Sequence, residues 1–303
     1  GSVHTVLLRS DGQAVACGYN YEGQCGIPPL KPGLSYSQVS AGGEHTVLLR
    51  SDGQAVACGR NREGQCSIPP LDEGLSYSQV SAGSVHTVLL RSDGQAVACG
   101  WQADGRCSIP PLDEGLSYSQ VSAGAHHTVL LRSDGQAVAC GWQADGRCSV
   151  PPLDEGLSYS QVSAGGDHTV LVRSDGQAVA CGSRVHSQCN IPTLNEGLSY
   201  SQVSAGYDHT VLLRSDGQAV ACPSKLLGKC HIPAFPSLRS WRDLFLGGSA
   251  APSYRYICDF PQLGKDHVVQ VDFLPEGDAG VILTCVGLDG LEVLRLKAQK
   301  SDR

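Results

Sequence analysis

One phrase, HTVLLRSDGQAVAC, begins at His4, His45, His86, His127 and His209, and recurs at His168 with Val172 in place of a leucine. The interval is 41 residues every time. A repeat kept in such strict phase restricts the fold sharply, because each unit must bury its faces against the next copy of itself. Between the phrases runs a second block, IPPLDEGLSYSQVSAG in its commonest form, and six units fill residues 1–231 without an insertion.

Each unit predicts short strands and no helix. SYSQVSAG alternates weakly, HTVLLRS is rich in apolar residues, and QAVAC alternates small and apolar residues over a short run. Ser-Asp-Gly between the second and third strands reads as a hairpin turn of the two-residue type, its glycine free to take a positive φ. Ile-Pro-Pro-Leu cannot lie in a central strand, since proline donates no ladder hydrogen bond. It reads as the crossing from the outside of one blade to the inside of the next. Three or four strands per unit, repeated six or seven times, predict an all-β fold, a closed β-propeller. A solenoid of β-coils ordinarily uses a shorter repeat.

The ends of the array are less regular. The first unit lacks SYSQVSAG, whereas SWRDLFLGG at 240–248 falls in register with that block, Trp241 lying five repeats beyond Tyr36. Two arrangements follow: this segment clasps a ring of six blades, or it opens a degenerate seventh blade with SYRYICDF and HVVQVDFL. Residues 1–248 are thus assigned to the propeller and 249–303 to a degenerate blade or small β extension. VILTCVGLDGLEVLRL at 281–296 reads as a hairpin turning at Asp289-Gly290. The sequence holds no methionine, which points to an excerpt or a processed product. No apolar run reaches membrane-spanning length, and no signal peptide is visible at the start.

Gly42-Gly43-Glu44-His45-Thr46, Asp52-Gly53 and Gly59-Arg60-Asn61-Arg62-Glu63-Gly64-Gln65, recurring in phase, resemble the regulator of chromosome condensation repeat. The likeness covers residues 1–248. The short spacing and the Ile-Pro step also look like the compact bacterial propellers that inhibit β-lactamases. The resemblance implies seven blades and a binding platform; some relatives are exchange factors for small GTPases, and others sit inside ubiquitin ligases. The chain departs from the pattern where cysteine, as at Cys17 and Cys58, replaces the usual tryptophan. No insertion resembles the wedge that exchange factors use. The tail hairpin looks like the opening of a ubiquitin-like fold.

Repetition argues against catalysis. Six histidines in six separate blades do not converge, and an active site needs different groups in mutual reach. They read as buried residues bonded to backbone or to a neighbouring blade. Serines repeat with the frame and form no Gly-x-Ser-x-Gly elbow, and no phosphate-binding glycine loop is present. The formal charge of −7 gives no basic footprint for nucleic acid. No cofactor and no metal are called for.

Twelve of the 14 cysteines form pairs eight residues apart: Cys17/Cys25, Cys58/Cys66, Cys99/Cys107, Cys140/Cys148, Cys181/Cys189 and Cys222/Cys230. Each pair flanks a loop and is either a disulfide or two small fillers beneath the loop. Thiols would suit a cytoplasmic or nuclear setting, disulfides an oxidising compartment. Two thiolates per unit fall short of a structural zinc site.

The six copies differ mainly in two places. One is the residue pair before His-Thr, which includes Glu44, His126, Asp167, Tyr207 and Asp208. The other is the loop after the third strand, which includes Tyr19, Tyr21, Arg60, Arg62, Trp101, Asp104, Trp142, Asp145 and Arg184. An up-down-up course of strands puts both on one rim and Ser-Asp-Gly on the other. Loops on a rigid scaffold commonly carry binding, and aromatics with arginine are typical anchors. The expectation is a non-enzymatic module that grips a protein partner. The alternatives are a regulatory component of an enzyme system (exchange factor or ubiquitin-ligase substrate receptor) and a structural subunit of a large assembly.

Overall fold

The computed structural model describes residues 1–222 throughout and, beyond them, the backbone of four strands. The chain divides into two compact units, Gly1–Ala234 and Phe235–Arg303.

In the first unit the repeats fold as separate antiparallel sheets. The second repeat shows the pattern: Tyr36–Ala41, His45–Arg50 and Ala55–Gly59, paired in that order. Four further three-stranded sheets repeat it, the last being Tyr200–Ala205, Thr210–Arg214 and Ala219–Cys222. The first repeat has only His4–Leu8 and Ala14–Gly18. These are the blades that the 41-residue period predicts. The clasp or seventh-blade role expected for residues 240–248 lies outside the described residues, as does the boundary drawn at 248.

Packing explains why the second strand is apolar throughout. Val47 and Leu49 pack against Tyr77, Val80, Ala82 and Leu89 of the following sheet, while Val88 and Leu90 pack forward onto Tyr118, Val121, Ala123 and Leu130. Alternate side chains therefore face the preceding and following sheets, and a strand covered on both sides needs no polar face. Leu48, Leu89, Leu130 and Leu171 have no exposed surface, whereas Leu7 and Leu8 of the two-stranded first sheet are nearly two-fifths exposed.

The turn between the second and third strands is a residue longer than expected. Arg50 and Gln54 close it: Arg50 donates its N–H to the Gln54 carbonyl at 2.8 Å and its own carbonyl accepts the Gly53 N–H at 3.0 Å, so Ser51-Asp52-Gly53 all lie in the loop. Asp52 Oδ1 accepts the Gln54 N–H, and Gly53 sits at φ 77°. A three-residue loop ending in a left-handed glycine is the next commonest hairpin after the two-residue type. The Asp52 carboxylate also pairs with Arg50, which occupies a side chain that would otherwise compete for the backbone.

Blades are joined by a repeated relay. Thr46 donates its hydroxyl to the Gln24 carbonyl at 2.7 Å and accepts from His4 Nε2 at 2.8 Å; Thr87 does the same between the Gln65 carbonyl and His45. Since the hydroxyl proton is committed to the carbonyl, the histidine carries a proton on Nε2, and its Nδ1, buried without a partner, favours the neutral ring. His86–Thr128, His127–Thr169 and His168–Thr210 continue the series. Burial pushes these histidines well below their ordinary range, to about 4 for His45 and about 3 for His86 and His127. The inner strands add a second relay, Gln38, Gln79, Gln120 and Gln161 each accepting a valine N–H of the next blade at 2.7–2.9 Å. Their side chains line a polar cavity of about 700 Å³.

The second unit contains a four-stranded antiparallel sheet in sequential order: Tyr254–Cys258, His267–Phe273, Gly280–Gly287 and Glu292–Gln299. Gly280–Gly287 pairs with His267–Phe273 as well as with Glu292–Gln299, so the tail hairpin is part of a four-stranded meander. The ubiquitin-like likeness of that hairpin finds no support in the comparisons with known proteins.

Candidate functional site

Hydrogen bonds tie the two variable places of each repeat together. The first loop residue donates its N–H to the residue before the histidine: Tyr19 to Val3, Arg60 to Glu44, Trp101 to Val85, Trp142 to His126 and Ser183 to Asp167, all at 2.8–3.0 Å. Each bond extends the strand pairing by one step past His and Gly. The variable positions therefore share a rim, remote from the Ser-Asp-Gly turns at the other end of the same strands.

Loop shape comes from a few polar contacts. Asn20 and Asn61 accept the N–H of Cys25 and Cys66 through Oδ1 at 2.8 Å. Gln24 and Gln65, wholly buried, accept from Glu22 and Glu63. In two repeats, WQADGRC at 101–107 and at 142–148, that glutamine position holds Arg106 and Arg147, each only 3% exposed.

These two arginines organise much of the candidate surface. Arg106 pairs with Asp104, donates to the Ala125 carbonyl at 2.7 Å and reaches His126 Nδ1 at 3.3 Å. Arg147 bonds Asp167 at 2.6 Å and Asp145 at 3.1 Å, with its guanidinium carbon 5.5 Å from the Trp142 ring centre. His126 meets Trp142 edge-on at 5.4 Å. Desolvation first, and Arg106 next, hold His126 below the ordinary histidine range. Six residues singled out in the sequence (Trp101, Asp104, His126, Trp142, Asp145 and Asp167) thus sit in or beside the two arginine-centred loops.

Others lie apart from them. Tyr19 and Tyr21 stack on each other at 6.3 Å. Arg60 pairs with Glu44 at 2.6 Å, and Arg62 reaches Glu22 of the preceding repeat at 3.1 Å. Arg184 lies in the loop before Cys189, its carbonyl accepting the Ser187 N–H. Tyr207 is 60% exposed, and Asp208 lies 3.6 Å from His209. Arg106 and Arg147 themselves escaped the sequence reading, which ended each variable loop one or two residues too soon. The signal was available as a glutamine-to-arginine exchange confined to the two repeats that carry tryptophan.

The cysteines hold these loops from beneath. Cys58, Cys99, Cys140 and Cys181 direct Sγ to the carbonyl of residue 24, 65, 106 or 147 in the preceding repeat, each at 3.7 Å. Cys25, Cys66, Cys107, Cys148 and Cys189 direct theirs to the opening residues of their own loops at 3.1–3.8 Å. In the structure these nine are thiols. Cys230 lies outside the described residues. Burial pushes the Cys99, Cys140 and Cys181 thiols up to about 12. Because the thiolate is the nucleophile, alkylation of these three at pH 8 should run on the order of a thousandfold slower in the native protein than after denaturation. Site-resolved mass spectrometry measures it, and equal rates in the two states would contradict this burial.

Among the described residues no group of three or more His, Cys, Asp or Glu side chains is placed to hold a metal, and no helix is long and apolar enough to cross a membrane.

The architecture is that of a propeller built from RCC1-type blades. Residues 36–65, 77–106, 118–147 and 159–188 match the family model of the Regulator of chromosome condensation (RCC1) repeat, and the chain carries repeats of that family. Yeast RCC1 (Prp20), in a structure where it is bound to Kap60, is similar at a TM-score of 0.62 and 19% identity over 73% of this chain and 68% of that one. The ectodomain of the Arabidopsis thaliana receptor kinase ACR4 is similar at 0.56 and 20%, over 74% of this chain and 77% of that one. Human WBSCR16 is similar at 0.58 and 20%, over 86% and 78%. These likenesses establish the fold. No curated protein sequence matches the chain.

Proposed function

We propose that the chain is a non-enzymatic binding module that grips a protein partner through the rim carrying its variable loops. One observation carries this reading: six near-identical blades concentrate their differences on a single rim, and there they leave Tyr21 82%, Tyr207 60% and Trp142 52% exposed. A large aromatic left in water is costly for a monomer and useful in an interface. Buried threonine–histidine relays fix the blades beneath, so binding requires little backbone rearrangement. Yeast RCC1, which shares this fold, is itself seen bound to another protein, Kap60.

Affinity capture with the full chain, beside the variant Tyr21→Ser, Trp101→Ser, Trp142→Ser, Tyr207→Ser, tests it. A partner retained by the first and lost by the folded variant is the expected result. Equal capture would move the site to an edge or to the Ser-Asp-Gly rim. A regulatory role in a GTPase system is separable, since it would require the chain to accelerate nucleotide release.

A further inference from the structure

The heptad WQADGRC occurs twice with the same sequence and takes two shapes. At 101–107 Asp104 folds onto Arg106, accepting from Nε at 2.7 Å, and its side chain is 19% exposed. At 142–148 Asp145 swings to φ 60°, a left-handed conformation costly for a residue with a Cβ, and its side chain is 57% exposed. The cause lies on the neighbouring repeat. Arg106 faces Ala125 and His126, whereas Arg147 faces Asp167, which takes Nη1 at 2.6 Å. With its arginine drawn away, Asp145 keeps a single 3.1 Å contact and turns outward.

The result is an uneven display of charge. Arg147, the hub, is buried, and it touches Trp142, Asp145 and Asp167. Two carboxylates share that one guanidinium, and both remain open to solvent, Asp167 by 37%. His126, which accepts from Arg106, adds no positive charge. What this patch offers outward is an indole half exposed and two carboxylates with unfilled lone pairs. An anion would be repelled, and an apolar group would strip water from the carboxylates without replacing it. A cation satisfies both, stacking on the indole and completing the carboxylates.

Resting on the reading of the variable rim as a protein-binding surface, we propose that Trp142, Asp145 and Asp167 form the seat for an arginine or lysine side chain of the partner. The sister heptad, whose aspartate is closed onto Arg106, does not.

The test uses fluorescence anisotropy with the full chain and a labelled Gly-Ser peptide carrying two adjacent arginines. The same peptide with citrulline removes the charge and keeps the shape; a lysine version separates guanidinium from ammonium. The arginine peptide should bind. Citrulline, Trp142→Ala and Asp145→Asn should each weaken binding by roughly tenfold, the scale of one cation–aromatic or charge-assisted contact. Trp142→Phe should recover part of the loss, and Trp101→Ala should change affinity less than twofold. Absence of binding, equal binding of the citrulline peptide, or matched losses from Trp101→Ala and Trp142→Ala would each overturn the proposal. If the peptide fails while partner capture still depends on the exposed aromatics, the cation seat is wrong and the rim assignment stands.

Discussion

Lowering the pH from 7 to about 5.5 should reduce the thermal midpoint of the repeat unit by roughly 20 °C, and the fold should be lost near pH 5. His4, His45, His86, His127 and His168 are buried neutral, each with Nε2 on a threonine and Nδ1 without a partner. Burial is the leading cause holding His4, His45 and His168 near 4, and His86 and His127 near 3. Their folded pKa is depressed, so the neutral fold keeps its full stability above the unfolded value of about 6.5. Stability is then lost as the pH falls towards the folded value, because the unfolded chain takes up protons that the fold refuses. Five such groups give a slope of about 7 kcal/mol per pH unit across most of that window, against a total stability of roughly 5–15 kcal/mol for a typical domain. Asp52, Asp93, Asp134 and Asp175, lowered by their arginine partners, lose their contribution only below the ordinary carboxylate range, so histidine acts first. Thermal melts across pH 7.5–4.5 measure the effect. A midpoint that moves only a few degrees down to pH 5 would mean that the histidines are not held neutral.

Gly83→Ala should cost roughly 3 kcal/mol or more, against about 1 kcal/mol for Gly74→Ala. A Cβ on Gly83 would lie 2.6 Å from His86 Nδ1 and collide with the Gly124 carbonyl. Neither neighbour can withdraw. His86 is anchored to Thr128 at 2.9 Å, and the Gly124 carbonyl accepts from Ser84 at 3.2 Å in the bond that joins the two blades. Gly74 is at φ 84° but faces open space, so alanine there pays only for its backbone conformation. Urea denaturation of the two variants separates steric from conformational cost. If Gly74→Ala proved the more damaging, the close approach of His86 to Gly83 would not be what holds the blades in place.

Much of this fold is legible along the chain because each unit repeats its own instructions. The strand at His45 is apolar without alternation because sheets lie on both its sides, and the glycine before each histidine recurs because an imidazole packs against it. The hairpin length was misjudged for a local reason. Ser-Asp-Gly looks like a two-residue turn with one flanking residue, but the Arg50–Gln54 backbone bond leaves all three residues in the loop. The shared rim of variable residues follows from strand direction alone. The shape of the rim does not. Two identical heptads diverge because one faces His126 and the other Asp167, contacts made across a blade boundary that no local pattern encodes. Arg106 and Arg147 were passed over for a related reason, since a charged residue at a buried position is recognised only when its partners are seen.

The central claim is that the variable rim is the binding surface, and hydrogen–deuterium exchange on the full chain, alone and with its captured partner, tests it most directly. Slowed exchange at residues 142–147, 166–167 and 207, with the Ser-Asp-Gly turns at 51–53, 92–94 and 133–135 unchanged, is the predicted result. Protection confined to those turns, with the tryptophan loops unaffected, would contradict the account and assign binding to the uniform rim.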